Sequence, residues 1–494
     1  MRKLHIRIAG IIAFVLFLSL DGMSAQASTN FNTYTYDEWD DSVAAPAGYD
    51  ATKSVSGLQM GTGAWNVPQD FFMDSKGNIY LADTGNERIL LINSDLELID
   101  IIETVNMDGE DIPLTDVEGM YITDDAVMYL CQTSLERVLI VKDGKVTGTI
   151  SRPVSNLIQD DFVFAPTKIG IDVYGRAYVL SKGCYTGFLQ FDTDGRFMSF
   201  YGANKVEVTG KVLFNYMWKS ILSDEQRAAM TSIIPIEYSN LDCSKDGFVY
   251  TSTVGTQIPK NQIKKLNPLG NNIYYTEGKE EFNFGDEEMT YLQGKAIQPA
   301  FTDVKVNDEG FIFASDLNSG RIFERDQEGN LISVFGGFGN QLGTFQAPVA
   351  VECYNGKVYV LDRLKGSITI FEKTEYGALV EEALNLYNEG KYEESMVVWK
   401  SVLQRNSNSV LANTGMGKAL SQSGEYSDSL NYLKYSGDKY SYSKAFGKHR
   451  LNLVKVYGVY FLVALIVLAV STTVVKRILK VRRRKKDENK ISKK

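Results

Sequence analysis

The chain has 494 residues, which suffices for two to four domains and excludes a single small module. Residues 476–494 carry 11 Lys/Arg and 2 Asp/Glu, so the formal net charge of −9 divides into +9 on this end and −18 on residues 1–475. An acidic body argues against nucleic-acid binding, because phosphate contacts need a basic face. The two histidines, His5 and His449, leave none in the centre, which excludes histidine-ligated zinc and histidine general-base catalysis there.

The N-terminal residues have the pattern of a secretory signal peptide. Three cations at positions 2, 3 and 7 precede an apolar run at residues 8–20, and Ala25-Gln26-Ala27 places small residues where a signal peptidase cleaves. We therefore assign residues 1–27 to a signal peptide that is cleaved after Ala27. The alternative is an uncleaved anchor, although the run is shorter than the roughly 20 residues that span a bilayer.

Near the other end, residues 457–475 form an uncharged and mainly apolar run, which predicts a transmembrane helix. The segment before the run, 437–456, holds five Lys/Arg, and the segment after it, 476–494, holds eleven. This bias places the basic tail, residues 476–494, in the cytoplasm. The sequence thus predicts a single-pass protein of the cell membrane with residues 28–456 outside the cytoplasm.

Residues 57–372 repeat one phrase six times. In the clearest copy, residues 66–92, a D/N-x-x-G turn that ends at Gly77 joins two runs rich in alternating apolar residues. The other copies are residues 115–141, 166–191, 237–266, 301–323 and 348–371. Short strands between regular turns predict four-stranded blades arranged radially.

The copy at residues 66–92 resembles the NHL repeat, through Ala82-Asp83-Thr84-Gly85-Asn86 and the following Arg88-Ile89. The resemblance covers about two thirds of the chain and implies a mainly β fold, a six-bladed β-propeller. We expect the N-terminal segment, residues 28–56, to close the ring, with a strand near residues 33–39 pairing with the last blade.

Three copies share a polar residue five positions before an arginine, namely Asp83 with Arg88, Gln132 with Arg137, and Asp316 with Arg321. At this spacing the two residues of a pair face each other on neighbouring strands. They predict either a ligand-binding mouth of the propeller or ion pairs that hold hairpins and neighbouring blades together.

Two insertions between the copies are candidate recognition loops, because long loops on a rigid scaffold often carry binding residues. Residues 210–226 combine an aromatic-rich stretch containing Trp218 with a capping box that begins a short helix. Residues 277–288 are acidic and contain Phe282 and Phe284. One interpretation is that one of these insertions contacts a partner. The alternative is that both only pack against the propeller.

From Tyr376 onwards the apolar period becomes helical. Gly390 and Tyr392, which precede Trp399, recur as Gly424 and Tyr426, which follow Gly417. This spacing is the period of about 34 residues that is typical of the tetratricopeptide (TPR) repeat, and residues 376–450 therefore resemble that repeat. The resemblance implies a protein-binding groove, and a stiff stalk is the alternative interpretation.

These features together predict a membrane-anchored binding and scaffolding protein of a bacterial cell surface, without catalytic residues, metal or cofactor. Its partner is expected to be a protein, such as a membrane transporter, or an envelope glycan. The alternative is an enzyme. Propeller lyases that open streptogramins depend on histidines, but a lactonase-like hydrolase would use carboxylates around Ca²⁺, and the candidates are Asp83, Asp116, Glu118, Asp303 and Asp316.

Overall fold

The computed structural model describes residues 30–37, 39, 41–202, 237–254, 262–274, 284–286, 290–292 and 295–491, with the backbone alone at 290–292, 295–297 and 485–491. The predicted signal peptide and two predicted recognition residues, Trp218 and Phe282, lie outside the described residues.

Six antiparallel sheets follow the six sequence copies. Three strands precede them, β1 (Tyr34–Tyr36), β2 (Ser42–Ala44) and β3 (Tyr49–Ser56). Blade 1 consists of β4 (Asp70–Met73), β5 (Ile79–Asp83), β6 (Arg88–Ile92) and β7 (Leu98–Ile102). A hairpin, β8 (Thr104–Met107) and β9 (Glu110–Pro113), leads to blade 2, which consists of β10 (Val117–Ile122), β11 (Met128–Gln132), β12 (Arg137–Lys142) and β13 (Lys145–Ser151).

Blade 3 consists of β14 (Pro166–Ile171), β15 (Ala177–Ser181), β16 (Phe188–Phe191) and β17 (Phe197–Tyr201). Blade 4 has β18 (Tyr238–Cys243), β19 (Val249–Thr253) and β20 (Ile263–Leu266), and a hairpin of β21 (Thr290–Leu292) and β22 (Lys295–Ile297) follows. Blade 5 has β23 (Phe301–Val306), β24 (Ile312–Asp316), β25 (Arg321–Arg325) and β26 (Leu331–Gly336). Blade 6 has β27 (Pro348–Tyr354), β28 (Lys357–Asp362) and β29 (Ser367–Lys373), joined by β3.

The first strand of each blade contacts the first strands of both neighbours around the whole ring. This arrangement confirms the predicted six-bladed propeller. The turns form as the sequence indicates. In blade 1, Asp74 accepts hydrogen bonds from the backbone N–H groups of Lys76 and Asn78, and Gly77 takes the left-handed conformation (φ 85°) that closes the turn.

The strand that closes the ring differs from the predicted one. The predicted region contains β1, which pairs with β2 as a separate hairpin beside β26. Blade 6 is instead completed by β3, whose residues Tyr49–Ser56 pair antiparallel with β29. The prediction was wrong because β3 is a half-exposed outer strand with a polar centre, Thr52-Lys53-Ser54, and shows no clear apolar alternation.

Antiparallel pairing puts the turns of each blade alternately at the two ends of the propeller. The turns after the first and third strands lie at one end, which we call the helix face because the C-terminal helices dock there. The turns after the second strands and the connections between blades lie at the other end, which we call the far face. Its described parts include residues 57–69, 84–87, 103–116, 133–136, 152–165, 182–187, 317–320, 337–347 and 363–366.

After β29 the chain forms two helical hairpins, with helices α1 (Glu375–Asn388), α2 (Tyr392–Arg405), α3 (Val410–Ser423) and α4 (Tyr426–Tyr435). In the first hairpin, Ser395 Oγ donates a hydrogen bond to the carbonyl oxygen of Ala383 (2.8 Å). At the corresponding position of the second hairpin, Ser429 Oγ donates to the carbonyl oxygen of Gly417 (2.7 Å). The two hairpins therefore repeat one internal geometry.

The hairpins and the propeller share a hydrophobic core. Val380 of α1 and Trp399 of α2 belong to one apolar cluster with Phe311 of blade 5. Lys418 of α3 lies 2.9 Å from Glu328, in the turn after the third strand of blade 5. The hairpins are therefore docked on the helix face, between blades 5 and 6.

The last helix, α5 (Lys439–Ile491), runs for 53 residues, about 80 Å at 1.5 Å per residue. Near its start Ala445 is buried, and α5 packs against α4 there. Further along it contains the apolar run at 457–475. By length and composition α5 can cross a membrane, and none of the side chains in its apolar stretch is buried inside the structure.

Candidate functional site

The six first strands line the centre of the ring with two layers of side chains. In each blade, one residue of the first strand lies opposite the penultimate residue of the second strand. These six residues form the first ring, and they are Asp70, Gly119, Lys168, Asn240, Asp303 and Ala350. The second ring lies two residues further along each strand, and its members are Phe72, Tyr121, Gly170, Asp242, Lys305 and Glu352. Both rings combine acidic, basic and neutral side chains.

In the first ring, an ion pair links two blades that are not neighbours. Lys168 Nζ of blade 3 lies 2.7 Å from Asp70 Oδ1 of blade 1. Asp70 also accepts a hydrogen bond from the backbone N–H of Met120 in blade 2 (3.1 Å). Asp303 of blade 5 accepts from the backbone N–H of Val351 in blade 6 (2.7 Å). Asn240 Nδ2 of blade 4 also donates to Asp303. Asp70 therefore joins blades 1 to 3, and Asp303 joins blades 4 to 6.

In the second ring, Lys305 of blade 5 stands between two carboxylates. Its Nζ lies 3.2 Å from Asp242 Oδ1 of blade 4 and 3.0 Å from Glu352 Oε2 of blade 6. Asp242 also accepts a hydrogen bond from the backbone N–H of Val306 (2.9 Å). One lysine therefore holds three consecutive blades together at the centre.

Burial and charge shift the pKa values of these groups. Burial raises the pKa of Asp303 to about 7 and that of Glu352 to about 8, against the opposing effect of nearby lysines. Burial alone would lower the pKa of Lys305, but Asp242 and Glu352 raise it well above its usual value. The space between the side chains is about 30 Å³, room for about one or two water molecules and far below the roughly 300 Å³ of small ligand pockets.

Two of the predicted polar–arginine pairs form as hydrogen-bonded pairs on the far face. Asp83 and Arg88 are paired across β5 and β6, with Arg88 Nε 2.8 Å from Asp83 Oδ2. Arg88 also donates to the carbonyl oxygen of Thr62 (2.8 Å), in the connection from blade 6 to blade 1. Arg137 Nε donates to Gln132 Oε1 at the same distance in blade 2. Gln132 Nε2 donates to the carbonyl oxygen of Thr115 (3.0 Å), so both pairs also bind the connection that precedes their blade.

The third pair is separated. Asp316 and Arg321 are opposite each other in the strand register, but their side chains have other partners. Asp316 accepts hydrogen bonds from the backbone N–H of Ala300 (2.7 Å) and from Ser319 Oγ (2.6 Å). Arg321 Nη1 lies 2.5 Å from Asp286 Oδ2, and its guanidinium stands 5.0 Å from the ring centre of Tyr34. Arg321 therefore fastens the β1–β2 hairpin to blade 5.

The five carboxylates proposed for a calcium site do not converge on one point in the described part of the chain, although burial raises the pKa of Glu118 and the nearby Asp116 raises it further. Asp83 and Asp316 end second strands of different blades and accept backbone hydrogen bonds, whereas Asp303 belongs to the central ring. Among the described residues, no group of three or more His, Cys, Asp or Glu side chains is placed to hold a metal ion.

Phe284 is placed differently from the prediction of a recognition loop. Its side chain is 1% exposed and packs edge-on against Phe301 of blade 5, with ring centres 5.4 Å apart. The backbone oxygen of Phe284 accepts a hydrogen bond from Arg325 (2.8 Å). An aromatic residue in an acidic insertion can be buried in the core or exposed for binding, and the sequence pattern is the same in both situations. The burial of Phe284 could therefore not be predicted from the sequence.

The residues of the predicted TPR-like motif hold the helical hairpins together. Gly390 and Gly424 both adopt left-handed conformations (φ 80° and 89°) after α1 and α3. Trp399 is fully buried. A Cβ atom on Gly417 would lie 2.6 Å from Leu433 Cγ, so this glycine allows α3 and α4 to approach closely.

The two tyrosines of the motif make aromatic contacts. Tyr392 contacts Tyr387, with ring centres 5.3 Å apart. Lys448 Nζ of α5 lies 5.9 Å from the ring centre of Tyr426. The first tyrosine therefore supports the turn between α1 and α2, and the second meets the start of α5.

Two surfaces remain accessible in the described part of the chain. The hairpins have a groove of about 700 Å³, lined by Leu403, Ser407, Asn408, Asn413, Met416, Leu420, Asp428, Asn431, Tyr432 and Tyr435. The far face carries exposed apolar side chains on its turns and connections, and they are Leu58, Val67, Leu135, Val154, Leu157, Val163, Tyr185, Phe338, Leu342 and Leu364.

The connection at 152–165 shows how the far face presents such side chains. Arg152 donates hydrogen bonds to the carbonyl oxygens of Phe162 (2.8 Å) and Gln159 (3.1 Å), which fixes the loop. Val154 is 95% exposed and Leu157 is 60% exposed on this fixed loop. This segment carries no comparable signal in the sequence, since it lacks both the dense acidic charge of 277–288 and the capping box of 210–226.

The charged central rings were also missed by the sequence analysis. A signal for them exists, because Asn240 and Asp242, or Asp303 and Lys305, are polar residues at alternate positions of a strand. Such residues point to one side of a strand. Their partners, however, come from other blades that are distant in the sequence, and no local pattern identifies them.

Solved structures with a similar fold have low sequence identity to this chain. A streptogramin B lyase structure is 10% identical, with a TM-score of 0.38, and the match covers 62% of this chain and 78% of that one. A virginiamycin B lyase from Staphylococcus aureus is 8% identical (TM-score 0.41; 65% and 99% covered). A protein of unknown function from Bacteroides thetaiotaomicron is 13% identical (TM-score 0.40; 69% and 75% covered). No family model and no curated protein matches the chain. Similarity at this level does not extend to function.

Proposed function

We propose that this protein is a membrane-anchored extracytoplasmic binding protein, in which the helical segment holds an NHL-like propeller at the membrane and the far face binds a protein partner or an envelope glycan. The observation that carries the proposal is the position of the helices. They share a core with the helix face and continue into α5, so the far face is the end of the propeller turned away from them.

The anchoring role follows from the apolar stretch of α5. Side chains such as Val459 and Leu462 are 70% and 60% exposed, and such a run would be unstable in water. At about 1.5 Å per residue, the run at 457–475 is long enough for a bilayer of about 30 Å hydrocarbon thickness. The orientation rests on the basic tail and the signal peptide pattern, which together place residues 28–456 outside the cytoplasm.

The organisation that we propose is a signal peptide (1–27), an N-terminal segment that closes the ring (28–56), a propeller (57–372), TPR-like hairpins (376–450), a transmembrane helix (457–475) and a cytoplasmic tail (476–494). The docked hairpins support a rigid connection between propeller and membrane, because part of their surface is covered by blade 5. The groove over α3 leaves a second site for a protein partner.

The proposal is tested by co-purification of the full-length chain from native membranes in a mild detergent. The far-face variant V154D/L157D/L364D places charges on three exposed apolar positions. The matched control V173D/L269D/V397D makes the same changes at exposed positions on the helix face and on α2. A partner of the far face is retained by the wild type and the control and lost by the far-face variant. Equal retention by all three proteins would contradict binding through this face.

The calcium-dependent hydrolase is the competing hypothesis. Its candidate carboxylates would have to converge, but in the described residues Asp83 and Asp316 accept hydrogen bonds from backbone N–H groups on separate blades. Calcium titration of the purified chain by isothermal calorimetry decides between the two hypotheses. A stoichiometric, high-affinity ion would favour the enzyme.

A further inference from the structure

The start of α5 carries an unusual concentration of positive charge. Between Lys439 and Val456 there is no Asp or Glu, and the basic side chains are Lys439, Lys444, Lys448, His449, Arg450 and Lys455. This segment ends directly at the apolar run 457–475. It follows an acidic propeller, so the sign of the charge changes just before the proposed membrane surface.

The cations of this segment have no acidic partner in the described part of the chain. No carboxylate among the described residues forms an ion pair with the Lys or Arg side chains of 439–455. Lys444 Nζ and Lys448 Nζ instead lie over tyrosine rings, 5.6 Å from the ring centre of Tyr440 and 5.9 Å from that of Tyr426. Lys444, Arg450 and Lys455 are exposed. Their charges are therefore available to an anion from outside the chain.

The geometry of α5 sets the height of these charges above the apolar run. At 1.5 Å per residue, Lys455 lies about 3 Å, Arg450 about 10 Å and Lys448 about 13 Å from the first residue of the run. The headgroup layer on each side of the hydrocarbon is about 5–8 Å thick, and long basic side chains reach towards it. Lys455 and Arg450 therefore lie at or next to the level of lipid phosphates.

The five Lys/Arg residues before the apolar run oppose the orientation favoured by the basic tail, which is a cytoplasmic C-terminus. Loops outside the cytoplasm are usually poor in Lys/Arg, and a positive charge on the translocated flank weakens the topological signal. These residues therefore need a different physical explanation. Phosphate groups of anionic lipids supply one, because each Lys or Arg near such a surface strengthens binding by about fivefold.

We propose that the basic side chains at the start of α5, foremost Arg450 and Lys455, bind the phosphates of anionic phospholipids at the extracytoplasmic surface. The helix is unbroken from Lys439, and Ala445 is buried where α5 packs against α4, so bound lipids would fix the hairpins and the propeller relative to the bilayer. The inference rests on the proposed membrane anchor and adds a ligand class to it.

The test uses the full-length chain in a non-ionic detergent and counts bound lipids by native mass spectrometry. Phosphatidylglycerol is titrated against phosphatidylcholine. The variant K444Q/K448Q/R450Q/K455Q removes four charges before the span. The control K142Q/K145Q/R196Q/K245Q removes four exposed charges from the propeller. A further arm adds inorganic phosphate at matched ionic strength, which distinguishes a lipid headgroup site from a site for free phosphate.

We expect the wild type and the control to prefer phosphatidylglycerol equally, and the α5 variant to bind it at least about tenfold more weakly, since each charge is worth about fivefold. Binding of phosphatidylcholine is expected to stay the same in all three proteins. Unchanged phosphatidylglycerol binding by the α5 variant would overturn the proposal, as would full displacement of the lipid by inorganic phosphate. Extraction of the wild type from membranes by alkaline carbonate would show, separately, that the anchor itself is wrong.

Discussion

Glu324 of blade 5 and Glu381 of helix α1 face each other across the junction between the propeller and the helices. Both side chains are almost fully buried, with 0% and 3% exposure of the residues. Ser333 Oγ donates to Glu324 Oε2 (2.6 Å), and Tyr49 Oη donates to Glu381 Oε1 (2.9 Å). Two carboxyl groups therefore adjoin at the interface, and Lys373 pairs with Glu381.

We expect this pair to make the stability of the junction between the propeller and the helices dependent on pH. Burial, together with the neighbouring Glu381, raises the pKa of Glu324 well above its usual value, and burial also raises the pKa of Glu381. The unfolded-state pKa of a glutamate is about 4.3. Since the folded-state pKa is higher, the stabilising contribution is complete below about pH 4.3 and is lost as the pH rises through the folded-state value.

We expect the variant E324Q to be more stable than the wild type above neutral pH and to show a flatter dependence of stability on pH. The other charged or titratable groups at the site are Tyr49, Glu309, Lys373 and Cys353. Thermal unfolding measured between pH 5 and 9 checks the prediction. The control E394Q, at an exposed position of α2, should leave the profile unchanged, and a profile of E324Q that matches the wild type would contradict a raised pKa of Glu324 in the folded protein.

The ion pair of Lys168 and Asp70 predicts a large loss of stability when one partner is removed. The two side chains are only 12% and 9% exposed, so K168M leaves a buried carboxylate without its lysine. Breaking such a pair costs about 3–5 kcal/mol. Denaturant titration followed by tryptophan fluorescence measures the loss.

A matched control exists on the surface of blade 2. Lys142 lies 3.2 Å from Asp125, but their side chains are 47% and 69% exposed. K142M should therefore cost no more than about 1 kcal/mol, because exposed ion pairs contribute little. Equal effects of K142M and K168M would show that the central ring is not the buried network described above.

Much of the propeller could be predicted from the sequence, because its repeats carry local signals. Turns such as that ending at Gly77, and the recurrence of Gly390 as Gly424, depend on a few neighbouring residues. The contacts that close and fill the ring depend on distant ones. The pairing of β3 with β29 joins the two ends of the propeller sequence. Arg321 forms its ion pair with Asp286, which belongs to an insertion, and not with its cross-strand neighbour Asp316. These contacts depend on which chain segments lie next to each other in the folded protein, and a local sequence pattern does not determine that.

The closing strand β3 gives a prediction about truncation. Residues Tyr49–Ser56 pair with β29 along its whole length, and Thr369 Oγ1 donates to Ser54 Oγ (2.9 Å). A chain that begins at residue 57 leaves the edge of blade 6 unpaired and exposes its apolar core. We expect it to unfold at least about 10 °C lower, which corresponds to a few kcal/mol for a large domain. Limited proteolysis and thermal unfolding measure the effect.

The control for this truncation is a chain that begins at Pro46. It lacks Phe31 and the β1–β2 hairpin but keeps β3, so it should retain a closed ring. If both truncations unfold at the same temperature, the hairpin rather than β3 provides the closure.

The close approach of α3 and α4 predicts opposite effects for two Gly-to-Ala substitutions. A Cβ atom on Gly417 would lie 2.6 Å from Leu433 Cγ and 3.2 Å from the backbone nitrogen of Leu433, so the helices must move apart. We expect G417A to cost about 1–3 kcal/mol, the usual effect of overpacking. Gly447 lies inside α5, and a Cβ there meets nothing within 4 Å. G447A should therefore stabilise the chain by about 0.5–1 kcal/mol through helix propensity. Thermal unfolding of the two variants in parallel tests the packing, because a stabilising effect of G417A would show that α3 and α4 are not in contact at this position.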